Sequence, residues 1–359
     1  MKKVCIIATS LSNGGAERFS ALLSQMLAGL NYDVHILITK NSIDYNYSGS
    51  IFNLYKETEG SHSSLKKALT LKSYFNAQSF DFIIDNRPRQ TFIKEYLLYK
   101  FIFKARHIIP VVHSFYLKSY FPKSRFLAKI LYQNNSTIVT VSKAIQEEVI
   151  KKYQLKNCHQ IYNAIDFKSI EKQASHVNLD SQKFILFYGR LEESVKNFSL
   201  LLTAYKKSNL INHNIKLYIV GSGEDLSLIK NLIKDLKLND WVQCKPYIKN
   251  PFTYVKKALF TVLTSKHEGF PMVLIESLAC QTPVVSVDCK SGPKEIIKHE
   301  ENGLLVENYN SKALALAFNQ FVANTLLYNK CKENSKKSVS VYSTEYIAKK
   351  WDDLLKSRS

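Results

Sequence analysis

The chain has 359 residues, enough for two domains of ordinary size, each able to bury its own core. Apolar residues make up 45% and charged residues 22%, a globular balance that excludes disordered and fibrous chains. The 50 Lys and Arg against 30 Asp and Glu leave a net charge of +20, a surface suited to phosphate-bearing partners: nucleic acid, anionic lipid or a phosphorylated substrate.

The start, Met1–Thr9, has the basic and apolar character of a signal peptide. Its apolar part is too short for that role and runs straight into Ser-Asn-Gly-Gly, so it reads as a buried first strand. Val4–Ala8, Val34–Ile38, Phe82–Ile84, Ile108–Val112 and Ile138–Val141 are short apolar runs of the kind buried on both faces of a parallel sheet. Amphipathic helices alternate with them, as in Ala16–Leu30, whose inner stripe is Ala21, Leu22, Leu23, Met26, Leu27 and Leu30. That alternation predicts a doubly wound α/β domain. A polar stretch, KSIEKQASHVNLDSQK at 168–183, interrupts it. The pattern then restarts with Phe184–Tyr188, Lys216–Val220, Trp241–Cys244, Phe260–Leu263 and Val284–Val287. Two α/β units with a polar joint suggest two Rossmann-like domains facing each other across a cleft, 1–170 and 181–342. The last segment, 343–359, carries Ile347, Trp351, Leu354 and Leu355 at helical spacing and needs a surface to pack on. No run approaches 18 apolar residues, so any membrane contact is expected to be peripheral. Six cysteines without a Cys-x-x-Cys pair read as reduced cytoplasmic thiols, neither a disulfide framework nor a zinc site.

Four stretches carry chemistry. The first strand empties into Ser12-Asn13-Gly14-Gly15 and a helix, where glycines let backbone amides approach an anion; a plain tight turn explains the pair equally well. It is neither Gly-x-Gly-x-x-Gly nor a Walker loop. After Phe184–Tyr188, Arg190 and Lys196 point into the crevice where such a sheet binds ligands, and two cations there suit a diphosphate. Taken singly, surface solvation explains them too. In Ser265–Glu276, Pro271 suits the first turn of a helix running to about Cys280, so the backbone around Pro271 forms a candidate phosphate site in which Gly269, Phe270 and Met272 offer amides. Glu268 lies beside that helix mouth and Glu276 farther along it, placed to accept from sugar hydroxyls; dipole complementarity and a solvated face are the plainer alternatives. Finally, Arg87–Ile130 holds ten Lys and Arg against one acid, Glu95, interleaved with aromatics such as Phe115, Tyr116, Tyr120 and Phe121. Helix Ser64–Phe75 adds Lys66, Lys67 and Lys72. Either a solvated basic surface over an aromatic core or a surface for anionic headgroups fits this composition.

Glu268-x7-Glu276, inside SKHEGFPMVLIESLACQTPVVS, resembles the signature of glycosyltransferase group one, the retaining GT-B family that uses nucleotide sugars. The likeness covers almost the whole chain: Gly14-Gly15, VVHS with His113, TVSKAI, IYNAID, Arg190 with Lys196, VGSGED, SGPKEII and ENGLLV follow in the family's order. It implies a GT-B fold, with the nucleotide held by the second domain and the acceptor by the first. The last helix is then expected to cross back to the first domain. It implies that Arg190 and Lys196 neutralise the donor diphosphate and that Glu276 binds the ribose. Glu268 and His113 are then the catalytic-site residues at the transferred sugar, and Gly15, with Gly14, lies next to the diphosphate. Gln281, and the position near Pro246, depart from the family's usual glycine. Gln281 must therefore tolerate a helix-end conformation that suits glycine.

The implied activity is retaining transfer of a hexose or N-acetylhexosamine from a nucleotide sugar, with UDP the preferred nucleotide, to a lipid-linked or oligosaccharide acceptor. The glycan would be a bacterial lipopolysaccharide, O-antigen, capsule or similar. No Asp-x-Asp occurs, so neither metal nor other cofactor is expected. The expected location is the cytoplasm, against the inner face of the cell membrane, with Lys66, Lys67, Lys118, Lys123 and Arg125 as acceptor or membrane contacts. A GT-B-like epimerase or phosphorylase is the alternative; a polyanion-binding protein ranks below it, and no nucleic-acid motif is present.

Overall fold

A computed structural model describes residues 1–12, 14–132, 136–175 and 182–358. They divide into two units, Met1–Ala164 with Thr344–Ser359, and Ile165–Ser343. The boundary falls ahead of the polar stretch. Its first part, Phe167–Ala174, is a helix whose start is fixed by the Asp166 carboxylate accepting from Ser169 N at 3.0 Å. Residues 176–181 of that stretch lie outside the described residues.

Among the described residues the first unit has one parallel sheet. Its strands are β1 (Lys3–Ala8), β2 (Asp33–Ile38), β3 (Ser50–Asn53), β4 (Phe80–Asp85), β5 (Ala105–Val112), β6 (Ile138–Thr140) and β7 (Cys158–Gln160). Their order is β3-β2-β1-β4-β5-β6-β7. The central β1 pairs Val4 with both Val34 and Phe82, and its apolar side chains are buried on both faces, as a strand covered by helices must be. The second unit repeats the plan with β8 (Phe184–Tyr188), β9 (Lys216–Val220), β10 (Val242–Lys245), β11 (Thr261–Leu263), β12 (Val284–Asp288) and β13 (Gly303–Glu307), in the order β10-β9-β8-β11-β12-β13. In each unit the strand order reverses beside the first strand: between β1 and β4, and between β8 and β11. Loops leaving the carboxyl ends of those strands diverge and leave a crevice, the place where open α/β sheets bind ligands.

The strands expected from the sequence are all present. The additional ones, β3, β7 and β13, are all edge strands. An edge strand pairs on one side only and needs no long apolar run, so it leaves a weak trace in sequence. In the Gly15–Gly29 helix the inward face includes Phe19, Ser20 and Ser24, whereas Leu30, counted on the stripe, lies past the helix end and is 37% exposed. The final helix, Thr344–Ser357, belongs to the first unit. There Trp351 is wholly buried near Phe19, ring centroids 6.2 Å apart, and Tyr32 Oη donates to Asp352 Oδ1 at 2.8 Å.

Candidate active site

In the second unit, the chain leaves β8 through Gly189-Arg190-Leu191. Gly189 N donates to Val220 O at 3.0 Å, and Leu191 N to Ser222 O at 2.9 Å. A Cβ on Gly221 would stand 1.9 Å from Gly189 O, and one on Gly223 2.1 Å from Leu191 O. Only glycine permits that approach, so VGSGED serves as the bed of the arginine loop. Arg190 itself is 66% exposed, with Nη1 3.6 Å from Glu192. Lys196 behaves differently. Its Nζ reaches the loop after β11 and lies 2.6 Å from Glu268 Oε1, which also accepts from Ser265 Oγ at 2.6 Å. Thr264 Oγ1 donates to Lys196 O, and Lys266 N to Val195 O, each at 2.8 Å. The loops after β8 and β11 are thus tied together at the switch point by backbone bonds and one ion pair. The sequence suggests two cations suited to a diphosphate; the structure gives one solvated arginine and one lysine paired with a carboxylate.

Pro271 is the residue capping the Met272–Ala279 helix, not a member of its first turn. The Gly269–Pro271 turn ahead of it is braced from SGPKEII. Ser291 Oγ donates to Gly269 O at 2.7 Å, Glu268 N donates to Lys290 O at 3.1 Å, and a Cβ on Gly292 (φ +99°) would stand 2.2 Å from Pro271 Cδ. Phe270 packs edge-on against Tyr342, centroids 5.3 Å apart, and is buried rather than presented. Glu276 is only 3% exposed, which rules out a solvated face, and Tyr188 Oη lies 2.9 Å from its Oε2 and 3.0 Å from Val273 O. Gln281 takes the left-handed conformation, φ 60°, required of it after the helix.

In the first unit the matching crevice lies where β1 and β4 end. Gly14 precedes the Gly15–Gly29 helix, and, apart from its chain neighbours and the helix's own backbone, no atom of the described residues comes within 4 Å of a Cβ placed on Gly15. Asn13 is outside the described residues. His113 follows β5, half-buried, with its ring edge-on to Phe19 at 5.1 Å. Its Nε2 is 3.0 Å from Asn86 Oδ1; Asn86 Nδ2 donates to Ser20 Oγ at 2.9 Å, and Ser20 Oγ to Ala16 O at 2.8 Å. His113 Nδ1 is shielded and has no hydrogen-bond partner among the described residues. Burial, reinforced by the Arg89 charge, pushes the imidazole down to about 3, so the ring is neutral at physiological pH.

Two of the ten cations assigned to a basic surface are core residues. Arg87 donates to Asp85 Oδ1 and Oδ2 at 2.9 and 2.8 Å and to Glu95 Oε2 at 3.1 Å. Arg89, 1% exposed, donates to the carbonyls of Asp85, Arg87 and Val111 at 2.8–2.9 Å and to Tyr132 Oη at 3.1 Å. Burial alone would raise the Asp85 carboxyl; Arg87 and Arg89 hold it below the ordinary carboxylate range instead. Glu95, the single acid of the segment, is therefore a core partner rather than surface counter-charge. Tyr120 and Phe121 are likewise buried. What remains outside is a mixed surface. Lys66, Lys118, Lys123 and Arg125 are exposed and Lys67 half-buried, beside exposed Leu65, Leu69, Ile93, Leu97, Phe101, Tyr116, Phe126 and Ile130. No helix of the described residues is long and apolar enough to cross a membrane, and none of their His, Cys, Asp and Glu side chains cluster as a metal site.

Two parallel-sheet units of this kind make up the GT-B fold. Residues 13–169 match the family Glycosyltransferase Family 4, and residues 168–338 match Glycosyl transferases group 1. The chain is 31% identical to the N-acetylgalactosamine-N,N'-diacetylbacillosaminyl-diphospho-undecaprenol 4-alpha-N-acetylgalactosaminyltransferase of Campylobacter jejuni, over 97% of this chain and 98% of that one. It is 26% identical to the amylovoran biosynthesis glycosyltransferase AmsD of Erwinia amylovora, over 99% and 100%. Among solved structures, Anabaena HepE in complex with UDP superposes with a TM-score of 0.76 at 17% identity, covering 99% of this chain and 100% of that one. A Staphylococcus aureus TarM mutant in complex with fondaparinux, alpha-GlcNAc-glycerol and UDP gives 0.79 at 15% identity, with coverage of 99% and 100%. The chain belongs to the group 1 glycosyltransferases and is an enzyme of that family.

Proposed function

We propose that the chain transfers a hexose or N-acetylhexosamine, with retention, from a UDP-sugar to a lipid-linked diphosphate glycan of the bacterial surface. The observation that carries this reading is the Lys196–Glu268 pair at 2.6 Å, set between the loop that holds Arg190 and the helix that holds the buried Glu276. Breaking the sugar–phosphate bond leaves negative charge on the diphosphate, and Lys196, Arg190 and the Gly269–Met272 backbone are the groups that stabilise it. Glu276, held by Tyr188, accepts from the ribose. Glu268 is left at the sugar once the diphosphate engages Lys196. Support for the donor comes from the structural relatives solved with UDP, and for the acceptor from the undecaprenol-linked substrate of the Campylobacter relative.

The acceptor's lipid brings the enzyme to the inner face of the cell membrane through its first unit. Support lies in the exposed Leu65, Leu69, Phe101, Phe126 and Ile130 among lysines and arginines; surface cations each add about 1 kcal/mol near an anionic leaflet. Transfer proceeds without a metal, protein cations taking that role.

One assay series tests the whole reading: transfer from UDP-sugars to a polyprenyl-diphosphate glycan, with and without EDTA, and with anionic or neutral vesicles. Transfer that survives EDTA and vesicle binding that needs anionic lipid are expected. Restoration by Mn²⁺ after EDTA would refute metal independence, and equal binding to both vesicle types would refute the membrane contact.

A further inference from the structure

We propose that Ser20 and Asn86 are positioning residues that lock His113 in the tautomer with a bare Nδ1, making the ring an acceptor for a hydroxyl of a sugar substrate. This rests on the reading that the enzyme transfers sugars and that His113 contacts one.

The direction of every proton in the chain follows from its first member. Ala16 O, a helix carbonyl, can only accept, so the Ser20 hydroxyl, 2.8 Å away, gives its one proton there. The Ser20 oxygen is left as an acceptor and takes Asn86 Nδ2–H at 2.9 Å. With its amino group so engaged, Asn86 turns Oδ1 toward His113, 3.0 Å from Nε2. Two acceptors cannot bond to each other, so Nε2 carries the ring's proton. In a neutral imidazole Nδ1 then has none. Ser20 and Asn86 are both buried, which keeps water from substituting for either link.

Arg89 reinforces the arrangement in two ways. Its charge disfavours a second proton on the ring. Its guanidinium also spans Asp85 O, Arg87 O and Val111 O, pinning the backbone on both sides of Asn86 and just ahead of His113.

The consequence for recognition is chemical. A shielded nitrogen lone pair with no partner among the described residues calls for a hydrogen-bond donor. A sugar hydroxyl supplies one; an ionised phosphate oxygen does not. His113 in this state neither neutralises the diphosphate nor delivers a proton.

Histidine labelled with ¹⁵N reports the tautomer of the full-length enzyme, with His113→Gln identifying the signal. The expected spectrum has a bare Nδ1 and a protonated Nε2. Asn86→Ala should mix the tautomers and lower kcat on the order of 10- to 100-fold, with UDP affinity unchanged. Asn86→Asp, whose carboxylate still accepts from Nε2–H while the Ser20 hydroxyl turns its proton from Ala16 O to the other carboxylate oxygen, should keep the Nε2–H tautomer and return turnover toward the wild-type value. If Asn86→Ala does not fold, Ser20→Ala carries the same test, with mixed tautomers expected. A protonated Nδ1 in the wild type, or wild-type spectrum and turnover in Asn86→Ala and Ser20→Ala, would overturn the proposal. A wild-type enzyme that shows the expected tautomer yet transfers no sugar would count against the donor reading instead.

Discussion

Glu268 and, on the proposed reading, the diphosphate both draw on the single charge of Lys196, and this competition makes a testable prediction in both directions. The ion pair is 2.6 Å long, with side chains 18% and 13% exposed. Two unit charges about 4 Å apart at an effective dielectric of about 20 interact by about 4 kcal/mol, a gross figure that hydration and desolvation reduce. A charge-assisted bond to the diphosphate is worth about 1.5–3 kcal/mol net. Lys196→Ala removes that bond and leaves the Glu268 carboxylate facing the diphosphate unneutralised, so UDP affinity should fall about 100-fold while uridine affinity stays the same. Glu268→Gln removes the competitor. It should tighten UDP binding about 3- to 10-fold while lowering turnover, because the sugar loses its carboxylate. Isothermal calorimetry on both variants and on the double variant separates these terms. If Glu268→Gln weakens UDP binding as much as Lys196→Ala does, the carboxylate orients the lysine instead of competing for it, and the reasoning fails.

Glu276→Ala should weaken UDP by about 1.5–3 kcal/mol, and Tyr188→Phe by less, since the phenol only steadies the carboxylate; equal calorimetric losses would reverse that ranking. For His113, folding lowers the ring's affinity for protons from the ordinary value of 6.5 to about 3, so the unfolded chain takes the proton first and stability declines as pH falls through that window. Urea unfolding at pH 7 and pH 5 should show wild type losing up to about 2 kcal/mol more than His113→Asn; equal losses would refute the depressed value. Gln281→Gly relieves a left-handed side chain at a helix end and should raise stability by about 0.5–1 kcal/mol, seen as a higher urea midpoint.

Much of this was legible in the sequence because the plan is local. Short apolar runs followed by polar turns mark each strand's carboxyl end; Arg190, Lys196 and Glu268 sit in the segments that follow such ends, and Glu276 lies on the helix that comes next. What stayed hidden depends on distance in space. A charge count along Arg87–Ile130 has no means of telling Arg89, enclosed by carbonyls, from exposed Arg125; both read as surface cations. The same blindness covers Gly292 against Pro271, which are far apart in the chain yet in contact, and Ser20, an ordinary serine until Asn86 is brought beside it. His113 was singled out as a sugar contact, but its proton state follows from neighbours on two other elements.

The place of the Thr344–Ser357 helix matters during synthesis. It completes the first unit, yet it leaves the ribosome only after all of Ile165–Ser343 has been made. At roughly 5–20 residues per second, that interval is on the order of 10–40 s. For its duration the amino-terminal unit lacks Trp351 beside Phe19 and Asp352 beside Tyr32. The apolar face that Trp351 covers, with Phe19 in it, therefore stands open to chaperones and to neighbouring nascent chains until Thr344–Ser357 has been made.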